Sequence, residues 1–536
     1  MRFGLLAILL LSFALNLTLL DRFPLREDEA LYSYWALHFL DSDPLMLTVW
    51  PDKPPLYWWA QAGSFHLLGT TQAAARILNI LLTTATVALV AASSKRLYGN
   101  GSALVAAILC ALNPFLISFA ATAYTDPMLV FWGQLALYFG LCNRSIMAGL
   151  ALGAALMTKQ QGVLYIPLIA GVTLLNHNQP FIFTTRRKTR ALGYLLGGLG
   201  LVIGPMLYWD SLRWRVAPSP WELSLQNYGA LTLSAPNQWL GRLSGWLDLL
   251  WYFGGNWWSW LACAWLVTVT LLTIRLQTQR RLTILLWLWT LGFLAIHLCS
   301  TIQIWDRYLL PLVPIGATLL GGGLGVVADP LPPTSSAPSA FYVQNRHRLT
   351  RLLAIGLCVT LLPTAIEAAG GALPIGGDHG AYSGLVEAVD WVEKQEKPAI
   401  LYQQRLGWQL QFYLYTAHQH GQVEARWFAN ATTLADNAAK NTARPRYYLQ
   451  PTWSPVADLA PFLAMRNLTL IPAVRFGNME LSIIREKVRP VCDWCLCQLQ
   501  PASESTREQR VHWPIFNNMA RLPAENFSSV EKVSSE

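Results

Sequence analysis

Arg26-Glu27-Asp28-Glu29-Ala30-Leu31-Tyr32, followed a little later by Trp50-Pro51-Asp52-Lys53-Pro54-Pro55-Leu56-Tyr57-Trp58, decides how this chain is read. The stretch is rich in charge, yet it lies between two apolar runs, 3–20 and 74–92. Roughly 20 mostly apolar residues are what an α-helix needs to cross a hydrocarbon core about 30 Å thick. Residues 21–71 therefore read as a loop beside a membrane rather than the surface of a soluble domain. The composition agrees: over 536 residues, 53% are hydrophobic and only 13% charged, too apolar for an ordinary soluble protein. The first run follows a single Arg2, and no small-x-small cleavage site precedes Asp21, so it reads as a retained helix.

Working outward from this loop, further apolar runs fall at 102–121, 127–141, 146–158, 163–175, 191–209, 246–274, 282–299, 308–327 and 349–369. With the first two they predict an α-helical polytopic membrane protein of about eleven crossings. The net charge of +9 follows topology rather than pointing to nucleic acid. With the N-terminus in the cytoplasm, the short connections carrying Lys95, Arg96, Arg144, Arg186, Arg187, Lys188, Arg190, Arg275, Arg280, Arg281, Arg346, Arg348 and Arg351 all fall on the inner side. Asp21, Glu27, Asp28, Glu29, Asp41, Asp43 and Asp52 collect outside, the asymmetry expected of a cell-membrane protein. Runs 146–158 and 163–175 are short and flank Lys159. A single helix through them buries that ammonium at mid-membrane, a cost of about 2.5 kcal/mol or more, and reverses every later loop. A helical hairpin or re-entrant pair, with Lys159 facing outside, is the reading that fits.

After residue 369 the apolar runs shorten to strand length, which marks a small α/β extracytoplasmic domain over 371–500 behind a membrane domain of 1–370. Residues 385–394 have amphipathic helical spacing, 399–404 and 446–450 read as strands, and 468–474 with 479–484 as a hairpin. The polar tail, 501–536, has the composition of a disordered segment. Cys110, Cys142, Cys263, Cys299 and Cys358 read as packing residues. Cys492, Cys495 and Cys497 would lie in an oxidising compartment that permits a disulfide, and three thiols alone rarely complete a zinc site.

Chemistry is expected where charge gathers beside the membrane without aiding insertion. Pro54 and Pro55 fix the backbone just after Lys53, and an ammonium so held suits phosphate. Asp28 and Glu29 open a helical stretch, so either of them can cap it or serve the site. Asp126 follows small residues at another helix start, where the same two roles compete.

Asp28-Glu29 followed by Tyr32, then Lys53-Pro54-Pro55-Leu56 with Tyr57-Trp58, then Gly69 and Arg76, resembles the first external loop of the dolichyl-phosphate-mannose protein mannosyltransferase and aminoarabinose transferase superfamily. Thr125-Asp126-Pro127-Met128, Thr158-Lys159 and Arg307-Tyr308 with Leu310-Pro311 extend the resemblance over roughly residues 1 to 370. It implies the GT-C fold and an inverting transfer from a polyprenyl-phosphate-linked sugar to a lipid, polysaccharide or protein acceptor. Under that resemblance Asp28 is the candidate base, and Asp126 orients the base or acceptor. Glu29, Lys53, Lys159, Arg307 and Tyr308 are the candidate substrate contacts. No cofactor is evident and no visible motif requires a divalent metal. Two departures stand out: Leu31 occupies a place where relatives carry Arg, and Gln160 stands where a Thr-Lys-Gly motif has Gly. The alternatives are a polytopic transporter or lipid flippase, and a non-catalytic scaffold. Neither the inverted repeats nor the interrupted mid-membrane helices usual in transporters are visible.

Overall fold

The computed structural model describes residues 2–176, 184–228, 232–274, 279–328 and 340–487. The cysteines at 492, 495 and 497, Arg275 and the tail 501–536 lie outside them. Residues up to Lys487 form one compact unit.

Helices dominate as far as Ala369. Among the described residues, Gln72–Tyr98, Arg186–Arg213 and Arg280–Cys299 are long and apolar enough to cross a membrane, and Asn100–Ala111 with Pro114–Ala120, bent by 57°, makes a fourth if taken as one span. Length and composition thus mark three or four crossings where the sequence reading has about eleven. Several of the other expected spans are shorter apolar helices of 10–17 residues, such as Ser145–Thr158, Gln160–Leu175 and Leu312–Gly323.

The breaks have local causes. The expected span 102–121 bends at Asn113, whose side chain accepts from the Leu116 N–H at 3.3 Å, while Pro114 supplies the first helical position without an N–H to satisfy. The expected span 246–274 is two helices, Trp239–Trp251 and Trp257–Thr273, and Asn256 caps the second through the Ser259 N–H at 2.9 Å.

Ser145–Thr158 packs along Thr184–Arg213 without room for side chains at the crossing. A Cβ on Gly149 would lie 2.1 Å from the Leu195 carbonyl oxygen, and one on Gly198 would lie 2.2 Å from that of Ile146. Small residues let two backbones meet where lipid offers no hydrophobic drive for association.

Behind the helix Ala340–Ala369 lies a five-stranded sheet. Its strands are β1 (Ala399–Gln403), β2 (Val423–Trp427), β3 (Arg446–Pro451), β4 (Leu468–Phe476) and β5 (Met479–Glu486), in the order β2-β1-β3-β5-β4. β1 pairs parallel with β2 and β3, whereas β5 runs antiparallel to β3 and β4. Alternation along β1 sends Leu401 to a core with Leu385, Val389 and Val392, and sends Ile400 and Tyr402 to another with Leu434, Ala435 and Leu463. Both faces of the sheet are therefore covered by helices, a small mixed α/β layer structure. The helix and four of the strands match the sequence reading. β2 was not foreseen, although Val423, Ala425 and Trp427 alternate with Glu424 and Arg426 along it; it is a short edge strand of five residues.

Candidate active site

Five segments distant in sequence converge at one end of the helical unit. The first is the start of Glu27–Asp41, where acidic residues crowd the first turn. Asp28 Oδ2 accepts from Arg307 Nη1 at 2.5 Å. Arg307 stands on the 3-10 turn Asp306–Leu309, with its side chain only 10% exposed, whereas that of Asp28 is 32% exposed. Burial alone would raise the Asp28 carboxyl, but the Arg307 guanidinium, with Lys53 and Arg26 adding to it, holds the group below its ordinary 3.8.

A second buried pair lies beside the first. Asp126 opens the helix Asp126–Leu141 and accepts from Lys159 Nζ at 2.6 Å. Its side chain makes no cap bond of the kind the sequence admits; the lysine takes that place. Lys159 is an extended residue between Ser145–Thr158 and the 3-10 turn Gln160–Tyr165, and its carbonyl accepts from the Gly162 N–H at 2.9 Å, which closes the turn. Its ammonium also sits 4.5 Å from the centre of the Tyr308 ring. Burial pushes Lys159 down to about 8, with Asp126 opposing and Arg307 adding to the shift.

Lys53 completes the set. It is 5% exposed, with its ammonium 3.1 Å from Asp52 Oδ2 and 4.2 Å from the Tyr228 ring centre. The approach to Asp52 is not aligned as a hydrogen bond, so Lys53 Nζ has no hydrogen-bond partner among the described residues; the same holds for Arg307 Nε. Gln160 Nε2 donates to the carbonyls of Asp52 at 2.8 Å and Pro220 at 3.2 Å, joining the Lys53 loop to the Lys159 turn. The residue that departs from the family motif is thus a clamp in this chain.

Three buried cations, two of them with a nitrogen that has no hydrogen-bond partner among the described residues, beside a partly exposed carboxylate make a site for an anion next to a proton acceptor. Residues 52–209 match the family described as dolichyl-phosphate-mannose-protein mannosyltransferase. The crystal structure of ArnT from Cupriavidus metallidurans bound to undecaprenyl phosphate is similar at a TM-score of 0.61 and 15% identity, over 89% of this chain and 97% of that one. Its apo state gives 0.63 at the same identity and coverage. The chain shares the fold of these ArnT structures, and its residues 52–209 resemble the mannosyltransferase family. No curated protein sequence matches it.

Within this site Glu29, expected as a substrate contact, is placed apart from the other candidates. Glu29 is not exposed to any substrate: it is fully buried and its carboxylate is saturated. Arg76 donates Nε to Oε1 at 2.9 Å and Nη2 to Oε2 at 3.0 Å, while the backbone N–H groups of Ala123 and Arg26 donate at 2.7 and 3.0 Å. Arg76 also reaches the carbonyls of Leu20, Phe23 and Pro24. Glu29 is the post that fixes the Asp28 helix to the helix Gln72–Tyr98 and to the turn before Asp126. Asn79 secures the same turn from below, donating to the carbonyls of Thr122 and Tyr124 at 2.7 Å each.

Tyr308 faces Lys159 as described, and Tyr124 lies under the Arg307 guanidinium at 4.9 Å. Asn227 and Tyr228 end the short helix Pro220–Tyr228, to which the sequence assigned no role; Asn227 Nδ2 donates to Asp52 Oδ2 at 3.3 Å. Asp306 and Tyr382 were missed outright, because their contacts join segments with no local signature. Among the described residues, no three His, Cys, Asp or Glu side chains gather to hold a metal ion.

Proposed function

We propose that this protein moves a hexosyl or pentosyl group from a polyprenyl-phosphate-linked donor to an acceptor hydroxyl on the extracytoplasmic face of the cell membrane, with inversion. The observation that carries the reading is the Asp28–Arg307 pair flanked by buried Lys53 and Lys159. The undecaprenyl phosphate held by the structurally similar ArnT gives the donor class.

In this mechanism the donor phosphate lies against Lys53, Lys159 and Arg307. Drawing the guanidinium onto phosphate relieves Asp28 of the charge that depresses it, so the carboxylate regains basicity when a donor is present. The acceptor hydroxyl gives its proton to Asp28 while its oxygen forms the new bond to the anomeric carbon. The anomeric carbon–oxygen bond to phosphate breaks, and its electron pair leaves on the lipid phosphate, where the three cations stabilise it. Attack opposite the departing phosphate inverts the centre. Asp126 acts through Lys159, holding the ammonium in place.

The outward placement of the site rests on the helix Gln72–Tyr98. Its first turns carry Arg76 beside Glu29, and its last turn carries Lys95 and Arg96. Its 27 residues put these ends about 40 Å apart at 1.5 Å per residue. Basic residues mark the cytoplasmic side, so the site belongs on the other.

The test is sugar transfer from a panel of radiolabelled polyprenyl-phosphate sugars by membranes holding wild type, Asp28→Asn or Lys53→Ala at equal abundance. Asp28→Asn is expected to cut kcat by about 10²-fold or more, and Lys53→Ala to weaken donor binding. Normal transfer by both variants overturns the residue assignment. Absence of transfer by wild type with every donor overturns the reading itself.

A further inference from the structure

Among the described residues a few polar groups join the sheet domain to the helical unit, and several of them meet the two strips of chain that carry the Asp28–Arg307 pair. The Tyr382 hydroxyl donates to Glu27 Oε1, the residue before Asp28. The Tyr413 hydroxyl accepts from the Leu25 N–H at 2.7 Å and donates to Gln72 Oε1 at 2.7 Å. On the other strip, the carboxylate of Asp306 is divided. Oδ1 accepts from the Arg307 N–H at 2.8 Å, while Oδ2 accepts from the Gly376 N–H at 3.0 Å.

Gly376 is held there by its surroundings. It has φ +97°, and a Cβ would lie 2.5 Å from the Ser118 carbonyl oxygen, so the chain passes between Ser118 and Asp306 only because residue 376 is glycine. Tyr382 is 2% exposed, and its backbone N–H donates to Asp378 Oδ1 at 3.0 Å, which fixes the ring that reaches Glu27. An interface needs hydrogen bonds wherever it falls. Two of these, from Tyr382 and Gly376, land on the residue immediately before each member of the ion pair.

We infer that Tyr382 and Asp306 are positioning residues, through which the segment 376–382 sets Asp28 and Arg307 at their working separation. Tyr382 acts on the base through Glu27, and Asp306 acts on the phosphate contact through the Arg307 turn. The inference rests on the glycosyltransferase reading for its kinetic consequences, though not for its geometry. The two arms separate: loss of Tyr382 disturbs proton removal, and loss of Asp306 disturbs the donor.

The experiment compares wild type, Tyr382→Phe and Asp306→Asn in full-length protein, with Asp28→Asn as the inactive control. Misplacing reacting groups by an ångström costs on the order of 10²-fold, so a softened position is expected to cost about tenfold. Tyr382→Phe should lower kcat by that factor and leave the donor KM within about twofold. Asp306→Asn should raise the donor KM by about tenfold. Hydrogen–deuterium exchange, which needs no activity, should quicken over 26–32 in the first variant and over 305–310 in the second, with the sheet strands unchanged. If Asp306→Asn does not accumulate, Asp306→Glu takes its place. Unchanged kinetics and exchange in both variants overturn the inference, as does faster exchange spread through the sheet. Local changes in exchange in the variants, together with a wild type that transfers no sugar, would uphold the positioning and overturn the enzymatic reading.

Discussion

Lys159 Nζ lies 2.6 Å from Asp126 Oδ1, and the two side chains, 7% and 2% exposed, have almost no water to share. Each is the other's main compensation. Asp126→Ala alone leaves an ammonium buried without its counterion, a loss of about 3–5 kcal/mol in such pairs. Replacing both, as Asp126→Ala with Lys159→Met, removes the stranded charge and is expected to recover a coupling energy of about 0.5–3 kcal/mol. Thermal unfolding of the purified proteins in one detergent measures this, and additive losses would mean that the pair is not coupled.

The same lysine sets a pH dependence. Its ammonium loses its proton near pH 8 in the folded protein, against 10.5 for the unperturbed group. Binding of a polyprenyl phosphate should therefore weaken as pH rises through about 8, and Lys159→Arg, whose guanidinium stays charged, should remove that step. Stability runs the opposite way. Between the two pKa values the unfolded chain holds the proton that the folded chain has given up, so this group's contribution to stability grows with pH over that window and falls away below it. Binding isotherms and melting curves from pH 7 to about 10 read the two trends separately.

Gln160 joins two loops with one amide. Removing it by Gln160→Ala gives up hydrogen bonds to the carbonyls of Asp52 and Pro220, each contributing about 1 kcal/mol. The Lys53 loop loses its tether to the Lys159 turn while the packed helices are untouched. A rise of about fivefold in donor KM with little change in melting temperature is the expected signature. A lowered kcat at constant KM would place Gln160 with the reacting atoms instead.

Arg76 and Glu29 should behave as structure. A lysine at position 76 cannot fork onto both oxygens of Glu29 and also reach three carbonyls, so Arg76→Lys is expected to lower the yield of folded protein sharply. Glu29→Gln should do likewise. In the fraction that folds, the donor KM should stay within about threefold of wild type; a much larger change would return Glu29 to the list of substrate contacts.

How much of this was legible in the sequence differs by residue. Lys53 was legible because two prolines pin it, and the hairpin of β4 and β5 because its alternation is strong and its turn is Gly477-Asn478. Asp28 and Arg307 were each picked out, but their contact spans 279 positions and nothing local foretells it. Glu29 was ambiguous for a physical reason: a carboxylate in the first turn of a helix looks alike whether it faces a ligand or an arginine. Breaks at Asn113 and Asn256 shortened runs that hydropathy alone joins, because a capping amide weighs little in such a sum. Tyr228, Asp306, Gly376 and Tyr382 needed the fold, since each acts through a partner from another part of the chain.

The contact of Gly149 with Leu195 and of Gly198 with Ile146 has a mechanical consequence. Two helices meshed backbone to backbone cannot slide or part by small steps, so Ser145–Thr158 and Thr184–Arg213 behave as a single wall, and Lys159 is a fixture at its rim. In the proposed transfer the donor phosphate is then the partner that moves, and the ammonium the one that stays. Facing that rim, the Asp52–Lys53 loop meets Asn227 and Tyr228, and the Gln160 amide ties the loop to the wall.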